Sequence, residues 1–165
     1  MLGGALLGLE VPRADKRLLA IVETDGCAVD GVSAATGCAV GKRTLRVEDY
    51  GKVAATLVDR ESGRAVRVAP SARSRALARE YAPDAESRWH GQLRAYQAIP
   101  SSLLLDWRPV ELARPVGELV SAPGLRAICD SCDEEIMNQR EVIREGAVLC
   151  QACAGTSYYV PEPAR

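Results

Sequence analysis

Four of the six cysteines stand in two C-x-x-C pairs, Cys129-Asp-Ser-Cys132 and Cys150-Gln-Ala-Cys153, with 17 residues between them. This spacing constrains the C-terminal part of the chain more than any other feature. A two-residue gap lets both sulfurs of a pair turn toward one ion, and two pairs complete a tetrahedral shell of four thiolates around zinc. Between the pairs, Glu141 to Leu149 reads as a hairpin turning at Glu145-Gly146. A short helix over Ala154 to Tyr159 would follow Cys153. A knuckle, a hairpin and a second pair at a helix start describe a treble-clef finger. Four protein ligands leave no position for water or substrate, so the expected zinc is structural. The competing readings are two disulfides or inert buried thiols.

The charge balance narrows the partners. Lys and Arg number 21 against 22 Asp and Glu, a formal net charge of -1. A generic nucleic-acid binder or anionic-membrane binder needs a basic surface. Within residues 121–155 only Arg126, Arg140 and Arg144 face six carboxylates, and four thiolates with one Zn2+ add further negative charge. Phosphate is repelled there, so contact with protein is expected instead of nucleic acid. No apolar run approaches the ~20 residues that span a bilayer. The apolar opening Met1 to Leu9 has neither a basic flank nor a cleavage site and reads as a helix fragment. A cytoplasmic location is expected, where clustered cysteines point to metal or thiol chemistry.

A chain of 165 residues has room for one core domain and one small module. Residues 100–124 hold four prolines, and Pro123-Gly124 marks a break. The expected domains are therefore 1–122, a core, and 123–165, the finger with a short tail. In the core, Leu18 to Glu23, Thr44 to Glu48, Lys52 to Arg60, Arg64 to Ala69 and Trp107 to Ala113 read as strands. Cys27 to Thr36 reads as a helix stopped by Gly37, and Ser71 caps a helix running to Tyr81. Asp84 is the expected cap of another helix, with Trp89, Leu93 and Tyr96 on one face. Helices and antiparallel strands mixed without βαβ alternation predict an α+β fold.

Cys27 and Cys38 form a second constellation. A strand ends at Asp25-Gly26-Cys27, which sets Cys27 near a helix N-terminus, where partial positive charge favours thiolate. The two cysteines are candidate catalytic or metal-binding groups at one cavity, with Asp25, Asp30 and Lys42 near its rim. The plainer reading makes them small core hydrophobes. His90 has no ligand pattern around it and reads as structural. The series Arg64, Arg67, Arg73, Arg75 and Arg79 reads as a solvated face more readily than as an anion patch.

The runs Glu23-Thr-Asp-Gly-Cys-Ala-Val-Asp-Gly-Val32, Thr36-Gly-Cys38, Gly41-Lys42 and Asp49-Tyr-Gly-Lys-Val-Ala-Ala55 resemble the formylmethanofuran dehydrogenase E-subunit family. The paired C-x-x-C motifs are similar to the auxiliary treble-clef finger that many members carry. The resemblance covers roughly Leu2 to Cys153. It implies an α+β core, a homodimer and an accessory role beside a molybdenum or tungsten oxidoreductase, by protein contact or by metal or cofactor handling. The alternative is a thiol- or metal-dependent enzyme working through Cys27 and Cys38. The family pattern begins with a His-x-His-x-Cys-Pro-Gly-like motif that supplies core metal ligands, and this sequence has none. Either the start lies too far downstream or half of the core site is lost. Two cysteines alone would hold a second metal weakly.

Overall fold

The computed structural model describes residues 2–12, 14–120, 123–160 and 162. Met1, in the expected opening helix, and Ser121 and Ala122, at the expected division between domains, lie outside them. The chain forms two compact units, Met1–Ala113 and Arg114–Arg165. The expected division after residue 122 falls inside the second unit, which begins with the short helix of the proline-marked stretch.

The first unit holds helix α1 (Leu2–Leu7), strand β1 (Leu18–Val22), helix α2 (Ala28–Thr36) and strands β2 (Leu45–Val47), β3 (Ala55–Asp59) and β4 (Ala65–Pro70). Helices α3 (Ser74–Tyr81), α4 (Arg88–Ala98) and α5 (Ser101–Leu104) follow, then strand β5 (Leu105–Val110). The five strands form one sheet in the order β2-β1-β3-β4-β5. Only β1 and β2 run parallel, and α2 crosses between them; the other pairings are antiparallel. The fold is thus α+β with a mixed sheet.

Five consecutive apolar residues make β1 buried on both faces, as suits a central strand. Ala20, Val22, Leu45, Leu57 and Val66 pack with Leu7, Leu9 and Cys38 in the main core. Gly63, at φ 74°, turns the β3–β4 hairpin, and Gly37, at φ 74°, ends α2 in the left-handed conformation expected for it.

The apolar opening segment is covered within its own unit. Gly3, Gly4, Leu7 and Leu9 are buried. A Cβ on Gly3 would stand 2.4 Å from Leu57 Cδ1, so this glycine lets α1 lie directly on β3. The cap of α4 also differs from expectation. Ser87, not Asp84, takes the extended cap conformation, and its Oγ accepts the His90 amide at 3.3 Å. Ser71 accepts the Arg73 amide through Oγ and the Ser74 amide through its carbonyl, so it supports the turn before α3.

The second unit contains helix α6 (Val116–Leu119) and two small hairpins. Strands β6 (Arg126–Ile128) and β7 (Glu135–Met137) form the first. Strands β8 (Val142–Arg144) and β9 (Ala147–Leu149) form the second, turning through Glu145 and Gly146, both at positive φ. A single helical turn, Ala152–Thr156, takes the place of the longer helix expected to Tyr159. Gly155 at φ 92° breaks it.

Candidate metal centre

Each cysteine pair sits on a tight turn at the end of a hairpin. In the first, the Cys129 amide donates to the Glu134 carbonyl at 3.0 Å and the Asp133 amide donates to the Cys129 carbonyl at 3.0 Å. Asp133, at φ 61°, reverses the chain so that β7 can pair with β6. Arg126 and Glu135 make an ion pair across that hairpin. The second pair starts where β9 ends, and the Ala154 amide donates to the Cys150 carbonyl at 2.9 Å.

Asp130 ties the two turns together. Its amide donates to the Val148 carbonyl at 2.8 Å, and its carboxylate accepts the Val148 amide at 2.7 Å. The four sulfurs of Cys129, Cys132, Cys150 and Cys153 consequently lie within 4.8 Å of one another. Cys132 and Cys150 Sγ are 4.0 Å apart. That is about twice a disulfide bond. It is close to the ~3.8 Å edge of a tetrahedron with zinc–sulfur bonds of ~2.3 Å. The donor set and its spacing therefore fit a Zn2+ ion. Among the described residues this is the one such cluster of metal-ligating side chains.

Backbone amides aim at the sulfurs. The Cys150 amide donates to Cys129 Sγ at 3.2 Å and the Cys153 amide to Cys150 Sγ at 3.4 Å. The Cys150 amide is the main reason that Cys129 is lowered to about 6; amides of Ser131 and Cys132 add to it against burial. Cys132 is pushed up to about 12: the Glu134 amide favours its thiolate, but burial and the three neighbouring sulfurs outweigh it. Four thiolates this close repel one another unless a cation sits among them. Cys129 is buried, Cys150 half-buried, and Cys132 and Cys153 exposed.

The two core cysteines part company. Cys38 is 3% exposed, packs with Leu18, Ala20 and Val22, and has its sulfur 3.6 Å from the Leu18 carbonyl. Cys27 stands exposed before the first residue of α2 and makes no side-chain cap bond. Asp25 and Asp30 are exposed as well, and the Lys42 ammonium donates to the Gly37 carbonyl at 3.3 Å. No third ligand gathers around either cysteine among the described residues. A site built on both thiols, as expected at one cavity, does not take shape: one thiol stands in solvent before α2 and the other is enclosed in the core beyond its far end. His90 is exposed, with Nδ1 2.9 Å from Ser87 Oγ and its ring edge-on to Trp89.

The sequence did not reveal the pairing of Glu23 with Arg67. Arg67 donates from Nε and Nη2 to the two Glu23 oxygens at 2.6 and 2.7 Å. That guanidinium, then Lys52 and Arg108, hold the buried Glu23 carboxyl below its ordinary range. The two residues are 44 positions apart, and only the sheet register brings them together.

The architecture so far is that of an α+β domain accompanied by a small four-cysteine module of the zinc-finger kind. Residues 1–106 match the family described as "FmdE, Molybdenum formylmethanofuran dehydrogenase operon", and residues 124–159 match the "Prokaryotic dksA/traR C4-type zinc finger". The chain belongs to the FmdE family and carries a C4-type zinc finger at its C-terminal end. A solved FmdE-like protein of tungsten formylmethanofuran dehydrogenase, from Syntrophus aciditrophicus, has the same fold. It superimposes with a TM-score of 0.59 at 24% identity over 95% of this chain and 90% of that one. A "Probable S-adenosyl-L-methionine-binding protein" of Archaeoglobus fulgidus is 29% identical over 166 residues. That match takes in 87% of this chain and 42% of the relative, so the chain spans less than half of the relative's length. No described helix is long and apolar enough to cross a membrane.

Proposed function

We propose that this protein is a non-catalytic accessory protein that binds one structural zinc through Cys129, Cys132, Cys150 and Cys153 and works by protein contact. The observation that carries this reading is the sulfur cluster itself. Its four positions are all protein thiols, so a bound zinc has no vacancy for substrate. The zinc fixes two hairpins that have little apolar core of their own, and so presents an acidic surface for a partner. A molybdenum- or tungsten-dependent oxidoreductase is the partner suggested by the family description.

Self-association is the second part of the reading. Helix α4 buries Gly91 and Ala95, and Ile99 beyond its end, while Trp89, Leu93 and Tyr96 on its other side are 64%, 47% and 38% exposed. An apolar stripe along one helix is the form of a pairing surface, and a second copy of the chain offers the matching one. Leu93→Arg should convert a dimer to a monomer in sedimentation velocity; a wild-type monomer at micromolar concentration would refute the pairing.

The enzymatic alternative through Cys27 and Cys38 has less support, because one thiol is enclosed in the core and the other stands in solvent. Thiol titration of the zinc-loaded protein tests the choice. The accessory reading expects Cys27 to react at an ordinary thiol rate and the other five to be protected. A Cys27 that reacts many times faster than glutathione at neutral pH would favour the enzyme.

A further inference from the structure

The arginine series expected as a solvated face separates in the structure. Arg67 pairs with Glu23, and Arg64 Nη2 donates to the Leu6 carbonyl at 3.1 Å. Arg75 and Arg79, one turn apart on α3, instead line a cleft of about 490 Å³ whose other wall is the start of α4. Arg88, the first residue of α4, lines the same cleft, together with Ser87, Gly91 and Gln92. No carboxylate lines it, although Glu80, Asp84 and Glu86 lie in the same stretch of chain. None of the three guanidinium groups makes an ion pair or hydrogen bond with a described residue.

Three guanidinium groups without counter-charges around one concavity repel one another, and an anion between them relieves the repulsion. The floor of the cleft is narrow because Gly91 lies close to the preceding loop: a Cβ there would stand 3.3 Å from Ala85 Cβ. The first-turn amides of α4 have no acceptor within the helix, and the positive end of its dipole lies at the same end of the cleft. Guanidinium forks suit phosphate oxygens two at a time, and three of them match a dianion better than a single carboxylate. The volume is that of a nucleotide-sized molecule.

We propose that the cleft between α3 and α4 binds a small molecule through a terminal phosphate monoester, held by Arg75, Arg79 and Arg88. The site lies wholly in the first unit and does not depend on the zinc finger. It is also local: residues 73–94 hold five arginines against three carboxylates in a chain whose net charge is -1. A polynucleotide needs an extended basic surface, and the cleft offers only one short basic patch.

The test is calorimetric titration of the full zinc-loaded chain with AMP, with inorganic phosphate and with a single-stranded oligonucleotide. Saturable binding of AMP and phosphate at one site per chain is expected. Arg79→Gln and Arg88→Gln should each weaken it by roughly tenfold, the scale of a lost charge-assisted contact. Arg88→Lys, which keeps the charge but not the fork, should fall between. Arg94→Gln removes the same charge from α4 outside the cleft and should change affinity by less than about twofold. These side chains are exposed, and far-UV circular dichroism checks that each variant is folded. The proposal fails if neither phosphate nor AMP binds up to about 10 mM. It fails equally if Arg94→Gln weakens binding as much as Arg79→Gln, or if the oligonucleotide binds more tightly per nucleotide than AMP.

Discussion

Asp59 shows how much of this fold hangs on single side chains. It closes β3 with its carboxylate buried, accepting Arg17 Nε and Nη2 at 2.8 and 2.9 Å and Ser62 Oγ at 2.7 Å. The Arg17 guanidinium, helped by Ser62 and the Glu61 amide, holds its carboxyl well below the usual carboxylate range. A carboxyl depressed in the folded state stabilises fully above its unfolded pKa of about 3.9 and loses that contribution as pH falls below it. Asp59→Asn should therefore cost about 2 kcal/mol at pH 7 and much less at pH 3, measured as urea midpoints at the two pH values. An equal loss at both would mean that the effect is packing. At this scale the zinc cluster was legible, because each pair of sulfurs is set by two intervening residues. The Arg17–Asp59 and Glu23–Arg67 pairs were not, since they join positions 42 and 44 residues apart. Cys27 and Cys38 misled for the opposite reason: neighbouring glycine turns imitate a site, and only burial separates a packed thiol from an open one.

Among the elements, α4 is the most instructive. Its apolar positions Trp89, Leu93 and Tyr96 do share one face, as their spacing predicts, yet that face is exposed and the buried one is made by Gly91 and Ala95, with Ile99 just beyond. Small residues carry the contact with α3 because they let the helices approach, and no hydropathy pattern ranks alanine and glycine above tryptophan. The start of α4 is misplaced in sequence because Asp84 and Ser87 are both good caps. Ser87→Ala should cost about 1 kcal/mol, while Asp84→Ala should be nearly neutral, as read from thermal midpoints. The strands were easier. β1 and β3 are aliphatic runs bounded by turn residues, and the β3–β4 hairpin follows from Glu61-Ser62-Gly63. The first hairpin of the finger, β6–β7, has three-residue strands held by turn geometry around Cys129, too short for periodicity to reveal.

For the whole molecule, stability divides between two units held by different means. The first has a continuous apolar core and a five-stranded sheet. The second has two short hairpins whose link runs through Asp130 and the four sulfurs. Removal of metal by a strong chelator should abolish amide protection over the 125–156 segment in hydrogen exchange, with protection of β1 and β3 unchanged. Loss of protection throughout would show that the units fold as one. Cys132→Ser should reproduce the chelator's effect. The overall class, α+β with a C-terminal finger, was legible because strand runs, helix caps and cysteine spacing are local signals. Sheet order and the packing of α1 on β3 and β4 were not, because they are set by long-range contacts. The role given to the finger stands or falls with four thiolates holding one closed zinc site. The decisive experiment is X-ray absorption at the zinc edge, on protein whose metal content has been measured. About one zinc per chain with four sulfur neighbours at about 2.3 Å is expected; absence of zinc, or nitrogen or oxygen neighbours in the shell, would contradict it.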